Sequence, residues 1–454
     1  MSVTSVSFSR LILPIFFQMA LLLAIFLTDT FFLSSVSDMA VAGVGSAIPV
    51  LLTAIALMHA FSDPGISILG QQLGQGNRSR LSSTFFVMLV VCSLLAIILT
   101  ATTLLIAYPF GEWIGLDKDA SVASRDYLIY ISPIFILDIL FINFNSMIFA
   151  HGQTRWAMYA AISSAVTNLA LNIILYLNVF PGWQLGVKEV AMATLFAQIP
   201  PILIMGYAIF YVIGFRFKFS CIHPADFGWA RKRILSISIP ATIEPISYNI
   251  SQLVVYSMLA GISVTSVAAY SYGKNIFLLF SWAAALAVGI GTQIVVSHFQ
   301  GEKQYCKADN RMTRSLCKFL PAVFVAGIFI NFFADSILSV FTQDQALIAL
   351  TQKFLMFMLV IETFKAGNFV LFPTLRGSGD IRMPVVISLI SHWIFCIALG
   401  YYLAFYCNWG IYGLMTGVAA DELLRLAASV WRWYRRYWVT NYEASTENVV
   451  PQQS

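Results

Sequence analysis

Long apolar runs separated by short polar breaks dominate this chain. A run such as Phe85 to Ala107 exceeds the ~18 uncharged apolar residues that a helix needs to cross a bilayer. Twelve spans are expected, at about 11–34, 46–72, 84–107, 127–149, 156–179, 190–213, 234–259, 267–296, 317–340, 353–374, 383–406 and 410–432. No water is available in the hydrocarbon to satisfy backbone amides, so each span must be a helix. The fold class that follows is all-α and integral to the membrane.

The pattern also repeats. Pro14 in the first run, Gln75-Gly76 after the second and Gly152-Gln153-Thr154-Arg155 after the fourth recur as Pro240, Gln300-Gly301 and Gly379-Asp380-Ile381-Arg382. Gly186-Val187 recurs as Gly410-Ile411. All four pairs lie about 225 residues apart, which marks a duplicated six-span unit. The division expected is an N-lobe over 1–214, a cytoplasmic linker over 215–233, a C-lobe over 234–440 and a polar, disordered tail over 441–454. Duplicated membrane units are the layout of secondary transporters, with sites between or within the repeats.

Composition agrees and removes other classes. Hydrophobic residues form 59% of the chain and charged residues 10%, well below the roughly 25% charged content of soluble domains. Placing the N-terminus inside puts 18 of the 26 Lys and Arg residues on the cytoplasmic side and four (Lys118, Arg125, Lys188, Lys353) outside. Both termini are therefore expected in the cytoplasm of a cell whose inner (plasma) membrane holds the chain. That asymmetry explains the net charge of +5 and removes nucleic acid as a partner. The first run is too long for a signal-peptide core and has no cleavage site after it, so it reads as a retained span. Six scattered cysteines offer no disulfide framework or metal spacing and read as buried, inert thiols. His59, His151, His223, His298 and His392 are dispersed, and no nucleophile–base or metal constellation supports an enzyme.

Several short motifs then match one family in order. They are Leu13-Pro14, Gly70-Gln71-Gln72-Leu73-Gly74-Gln75-Gly76, Asn168 with Asn172, Leu185-Gly186-Val187, and Leu375-Arg376-Gly377-Ser378-Gly379-Asp380. From about residue 10 to 430 the chain resembles a multidrug and toxic compound extrusion (MATE) transporter. The resemblance implies twelve transmembrane helices in two six-helix lobes, related by a pseudo-twofold axis, around a central cleft. It implies export of organic, often cationic, compounds in exchange for protons or sodium ions. No cofactor is implied, and the partners are a small organic substrate and the lipid bilayer, with the chain acting as a monomer.

Ionisable side chains inside spans each need a reason, because one at mid-membrane costs ~2.5–3.5 kcal/mol even on lenient insertion scales. Asp29 lies in the outer third of the first span, and a carboxyl in a poorly solvated site holds its proton more firmly. Asn168 and Asn172 are one turn apart and share a face of the fifth span. Glu244 precedes Pro245, whose ring frees the Ala241 carbonyl, and Tyr248 and Asn249 follow one turn later to complete an oxygen-rich pocket. Glu362 and Lys365 are three apart on one face of the tenth span. Asp63, before Pro64, and Asp138, within reach of Asn143 or Asn168, are weaker candidates for the substrate cleft.

The family resemblance adds roles to these residues. Asp29 stands where DinF-type members carry an acid central to coupling, and Asn172 where they often carry a second. Glu244 is similar to a cation-binding glutamate of NorM-type members. Lys365 stands where the NorM pattern places an aspartate, which puts sodium coupling in the C-lobe in doubt and leaves room for an anionic or zwitterionic substrate. No metal is expected beyond sodium at Asp29 or Glu244. The leading expectation is an alternating-access antiporter with Asp29 as the proton carrier and Asn172 as its partner. The alternative is a flippase for a lipid-linked saccharide or other amphiphile, a class that lines its cavity with several Arg or Lys.

Overall fold

The structure is a computed structural model that describes residues 3–179, 185–216, 224–339 and 342–447, and all regular elements among them are helices. The chain divides into two compact units, Met1–Ser238 and Ile239–Ser454.

The first unit holds α1 (Phe8–Ser34), α2 (Asp38–Ser62), α3 (Pro64–Gly74), α4 (Arg78–Trp113), α5 (Lys118–Ile131), α6 (Ile134–Ala150), α7 (Thr154–Tyr176), α8 (Val187–Phe196) and α9 (Ile199–Tyr207). Prolines cut some spans into pairs. Pro64 opens α3 where a missing N–H costs nothing, and Pro133 leaves α5 and α6 bent by 48°. α7 shows why α1 packs closely along it. Its buried face is Ala157, Ala160, Ala161, Ser164, Asn168 and Asn172, small residues at helical spacing that let two backbones approach. Gly152 ends the preceding turn in a left-handed conformation (φ 67°), and Gly379 does the same after α15 (φ 93°). A side chain would resist that geometry, which explains why both copies of the motif carry glycine there.

The second unit takes in most of α10 (Pro224–Ile262), followed by α11 (Val264–Phe277), α12 (Ala283–Gly301), α13 (Tyr305–Phe332), α14 (Ala334–Leu338), α15 (Gln345–Gly377), α16 (Arg382–Ile390), α17 (Ile411–Tyr434) and α18 (Tyr437–Glu447). α15 packs on α11, α12, α13 and α17 and forms the middle of the unit. π-helical turns at Leu278–Trp282 and Ser391–Leu399 widen two spans, a deviation that recurs at functional sites. Close backbone approach sets two glycines. A Cβ on Gly417 would lie 2.6 Å from the Gly400 Cα, and one on Gly289 would overlap the Phe369 carbonyl oxygen of α15. Gly289→Ala is therefore expected to destabilise the unit by about 1–3 kcal/mol, visible as a lower melting temperature in detergent. A melting curve equal to wild type would contradict that packing.

Three expectations change, and the span count is met in part. Among the described residues nine helical runs are long and apolar enough to cross a membrane, or ten when the bent pair α5–α6 is one span. α10 and α17, read as the seventh and twelfth spans, are not among the nine; α17 carries Asp421, Glu422, Arg425 and Arg432. The tail expected to be disordered from 441 is helical through Glu447, and 448–454 lie outside the described residues. Within the expected linker, 217–223 lie outside them too, while α10 already begins at Pro224 and is fastened to α4 by Arg80 on Asp226 at 3.1 Å. Of the thiols, Cys92 and Cys396 are buried but Cys306 and Cys317 are exposed.

Candidate functional site

The polar centre of the first unit is built around Asp29. α1 presents it, largely buried, toward the small-residue face of α7. Its Oδ1 accepts from the Asn168 Nδ2 at 3.0 Å and the Asn172 Nδ2 at 2.9 Å. Its Oδ2 accepts from the Thr194 hydroxyl of α8 at 2.7 Å. Asn168 also donates to the Thr194 Oγ1 at 3.2 Å, and Asn172 to the Asn168 Oδ1 at 3.3 Å. Both asparagines are fully enclosed. Every contact to the carboxylate is therefore a donor, and charge-assisted donors of this kind favour the anion. The Asn172 Oδ1, in contrast, is buried without a partner among the described residues. The sequence placed Asp29, Asn168 and Asn172 in one site, and the structure brings all three together. Thr194 was missed, because a threonine in an apolar helix carries no periodic or charge signal.

The weaker candidates of this unit sit elsewhere. Asp138 takes its hydrogen bond from Gln198, not from the expected Asn143 or Asn168. Asn143 is turned to Ser62 and to the Ile139 carbonyl, and Asn168 is committed to Asp29. Asp63 is half-exposed and pairs with His59 one turn away at 3.0 Å.

The second unit concentrates charge. Lys365 meets Glu362 at 3.1 Å, as their spacing predicts, and the Ser281 hydroxyl donates to the same carboxylate at 3.3 Å. Glu244 is paired with Arg376 at 3.3 Å, so a guanidinium already occupies the place where a free cation was expected. Tyr248 packs its ring on His392, 5.7 Å between centroids, and Asn249 is exposed; neither hydrogen-bonds Glu244 among the described residues. Beyond the predicted set, α17 buries Arg425 against Asp421 at 3.2 Å and Glu422 at 2.5 Å. The Asn368 Nδ2 donates to Glu422 at 2.8 Å. His392, on the π-helical stretch, meets the Ser247 hydroxyl through Nδ1 at 3.1 Å. The i, i+3 and i+4 spacing of Asp421, Glu422 and Arg425 was the signal available for this triad. Arg376 had counted as a cytoplasmic cation, two residues past the expected end of the tenth span at 374, whereas α15 carries it as its penultimate residue. No group of three or more potential metal-ligating side chains occurs among the described residues.

The MatE family model matches residues 14–174 and then, a second time, 240–402. The chain belongs to the MatE family. It is accordingly a membrane transporter and not an enzyme, an integral multi-pass protein, and the double match is the repeat read from Pro14 and Pro240. Among its relatives is the uncharacterized transporter YisQ of Bacillus subtilis, 26% identical over 94% of this chain and 93% of its own length. A probable multidrug resistance protein NorM of Thermotoga maritima is 24% identical over 92% of this chain and 89% of its own. The fold is shared with the Vibrio cholerae MATE transporter VcmN in the bent form (TM-score 0.86, 16% identity, covering 98% of this chain and 100% of that one). It is shared also with a MOP superfamily transporter from Pyrococcus furiosus (TM-score 0.84, 17% identity, 96% of each chain).

Proposed function

We propose that this MatE-family chain is a secondary antiporter that exports organic compounds of the multidrug type, with a proton taken up at Asp29 as the coupling ion. The NorM relatives, named as probable multidrug resistance proteins, support the substrate class. The arrangement around Asp29 carries the choice of ion. Sodium needs oxygen acceptors, whereas the groups aimed at this carboxylate are two amide N–H donors and a hydroxyl donor. A proton needs only the carboxylate itself. Glu244, by comparison, is already compensated by Arg376 and is the poorer seat for a second cation.

The mechanism follows from counting donors and acceptors. Ionised, Asp29 ties α1 to α7 and α8 through three charge-assisted bonds. Once protonated, the carboxyl becomes a donor, and the amides facing it lose a charged acceptor. The Asn172 Oδ1, which has no partner among the described residues, is the acceptor at hand when that amide turns. Protonation thus weakens the tether of α1, a helix that carries Pro14 within it and bends there at low cost. An ion drives alternating access only by binding two conformations unequally, and this exchange of bonds supplies the inequality. The fuller layout proposed is twelve spans in two six-helix lobes, both termini in the cytoplasm, acting as a monomer in the inner membrane.

The test is uptake of a cationic fluorescent dye into inside-out vesicles under imposed proton or sodium gradients. Uptake driven by the proton gradient is expected. Dye movement indifferent to both gradients would overturn the antiport reading.

A further inference from the structure

Lys274 of the second unit is an interior cation with no carboxylate in contact among the described residues: Glu362 acts on it only at longer range, and Lys365 opposes that. The Lys274 Nζ of α11 donates to the Gln252 Oε1 of α10 at 3.1 Å, an oxygen that also accepts from the Tyr270 hydroxyl at 3.2 Å. The ammonium stands over the Tyr256 ring at 5.4 Å and the Tyr270 ring at 6.0 Å. Among the described residues no carboxylate lies within ion-pair distance of it. Lys365 is matched by Glu362, Arg376 by Glu244, Arg425 by Asp421 and Glu422, and Arg432 by Asp380. Ring faces and an amide oxygen soften a desolvated ammonium but do not neutralise it.

The groups around it have donors to spare. The Lys274 ammonium has three N–H bonds and uses one on Gln252. Gln252 is more than nine-tenths buried, and while its oxygen takes both bonds its amide nitrogen makes none among the described residues. Lys274 itself is only partly buried. Unused ammonium and amide N–H groups beside each other, next to the edge-to-face pair of Tyr256 and Tyr270, fit one kind of ligand: a singly charged oxyanion.

We propose that Lys274 and Gln252, beside the packed Tyr256–Tyr270 pair, seat the carboxylate of an anionic or zwitterionic organic substrate. The proposal rests on the export reading for its meaning and narrows the substrates to those bearing an acid. A phospholipid phosphodiester offers the same single charge, so the test separates the two sources.

The probes are rhodamine 110, a free acid, and rhodamine 123, its methyl ester, which differ at that one group. Binding is read by fluorescence polarisation to the full chain in phosphatidylcholine nanodiscs, without any gradient. The wild type is expected to bind the acid about tenfold more tightly than the ester. Lys274→Met should remove the preference while keeping the wild-type melting temperature, and Lys274→Arg should retain it. Equal affinities in the wild type, or a preference that survives Lys274→Met, would overturn the proposal. So would loss of acid binding on adding phosphatidylglycerol to wild-type discs, which would assign the seat to lipid. A dye bound with the acid preference yet indifferent to every gradient would sink the export reading and leave this seat standing.

Discussion

Asp29→Asn should reduce proton-driven export to the level of vesicles lacking the protein, a loss of at least about tenfold, while substrate binding stays within about twofold of wild type. The substitution keeps the size of the side chain and one oxygen for Thr194, and like the protonated acid it keeps the packing of α1 on α7 while giving up the charged acceptor for Asn168 and Asn172. What it removes is the ability to exist in two charge states. Without a differential interaction no gradient can shift the balance between conformations, however well the substrate binds. Vesicle uptake under an imposed proton gradient, measured beside equilibrium dye binding, separates the two effects. Undiminished proton-driven uptake in the variant would exclude Asp29 as the carrier. Parallel loss of binding would instead mark it as a structural or substrate residue.

Arg425→Met should be the most destabilising single change in the second unit. Arg425 is almost fully enclosed and answers two buried carboxylates, Asp421 at 3.2 Å and Glu422 at 2.5 Å. Removing one partner of a buried ionic cluster typically costs about 3–5 kcal/mol, because the charges left behind have lost both water and counter-ion. Here two anions remain, with Asn368 on Glu422 as a neutral donor. The expected result is a sharply reduced monodisperse fraction after heating in detergent. The triple variant Asp421→Asn, Glu422→Gln, Arg425→Met leaves no uncompensated charge and should recover most of the loss. A single variant as heat-resistant as the wild type would mean that the cluster is solvated, and its role would need rethinking.

How far the polar residues could be read in advance depends on whether their partners lie on the same helix. Glu362 with Lys365 was legible because three residues along a helix fixes their neighbourhood. Asn168 with Asn172 was legible for the same reason. Asp138 was read toward Asn143 on its own helix or Asn168 on the next and was found on Gln198, at the α8–α9 junction. Glu244 was read as open and was found closed by Arg376, 132 positions away (376 − 244). Asp29 was set beside α7 through the family resemblance, and its third donor, Thr194, emerges only in the tertiary structure.

Lipid explains the division. Hydrocarbon tolerates no unpaired backbone, so hydropathy alone yields helices and their approximate ends, and duplication yields a second copy of the same list. Polarity blurs the list at α10 and α17, whose sequences are charged or hydroxyl-rich along the faces that pack inward. Neither hydropathy nor spacing carries the rotation of one helix about its axis or its angle against a neighbour. Those two quantities decide whether a threonine meets an aspartate, whether an arginine reaches a glutamate, and whether a lysine is left without an anion. They arise from side-chain packing between helices far apart in the chain, and so appear only when the helices are assembled.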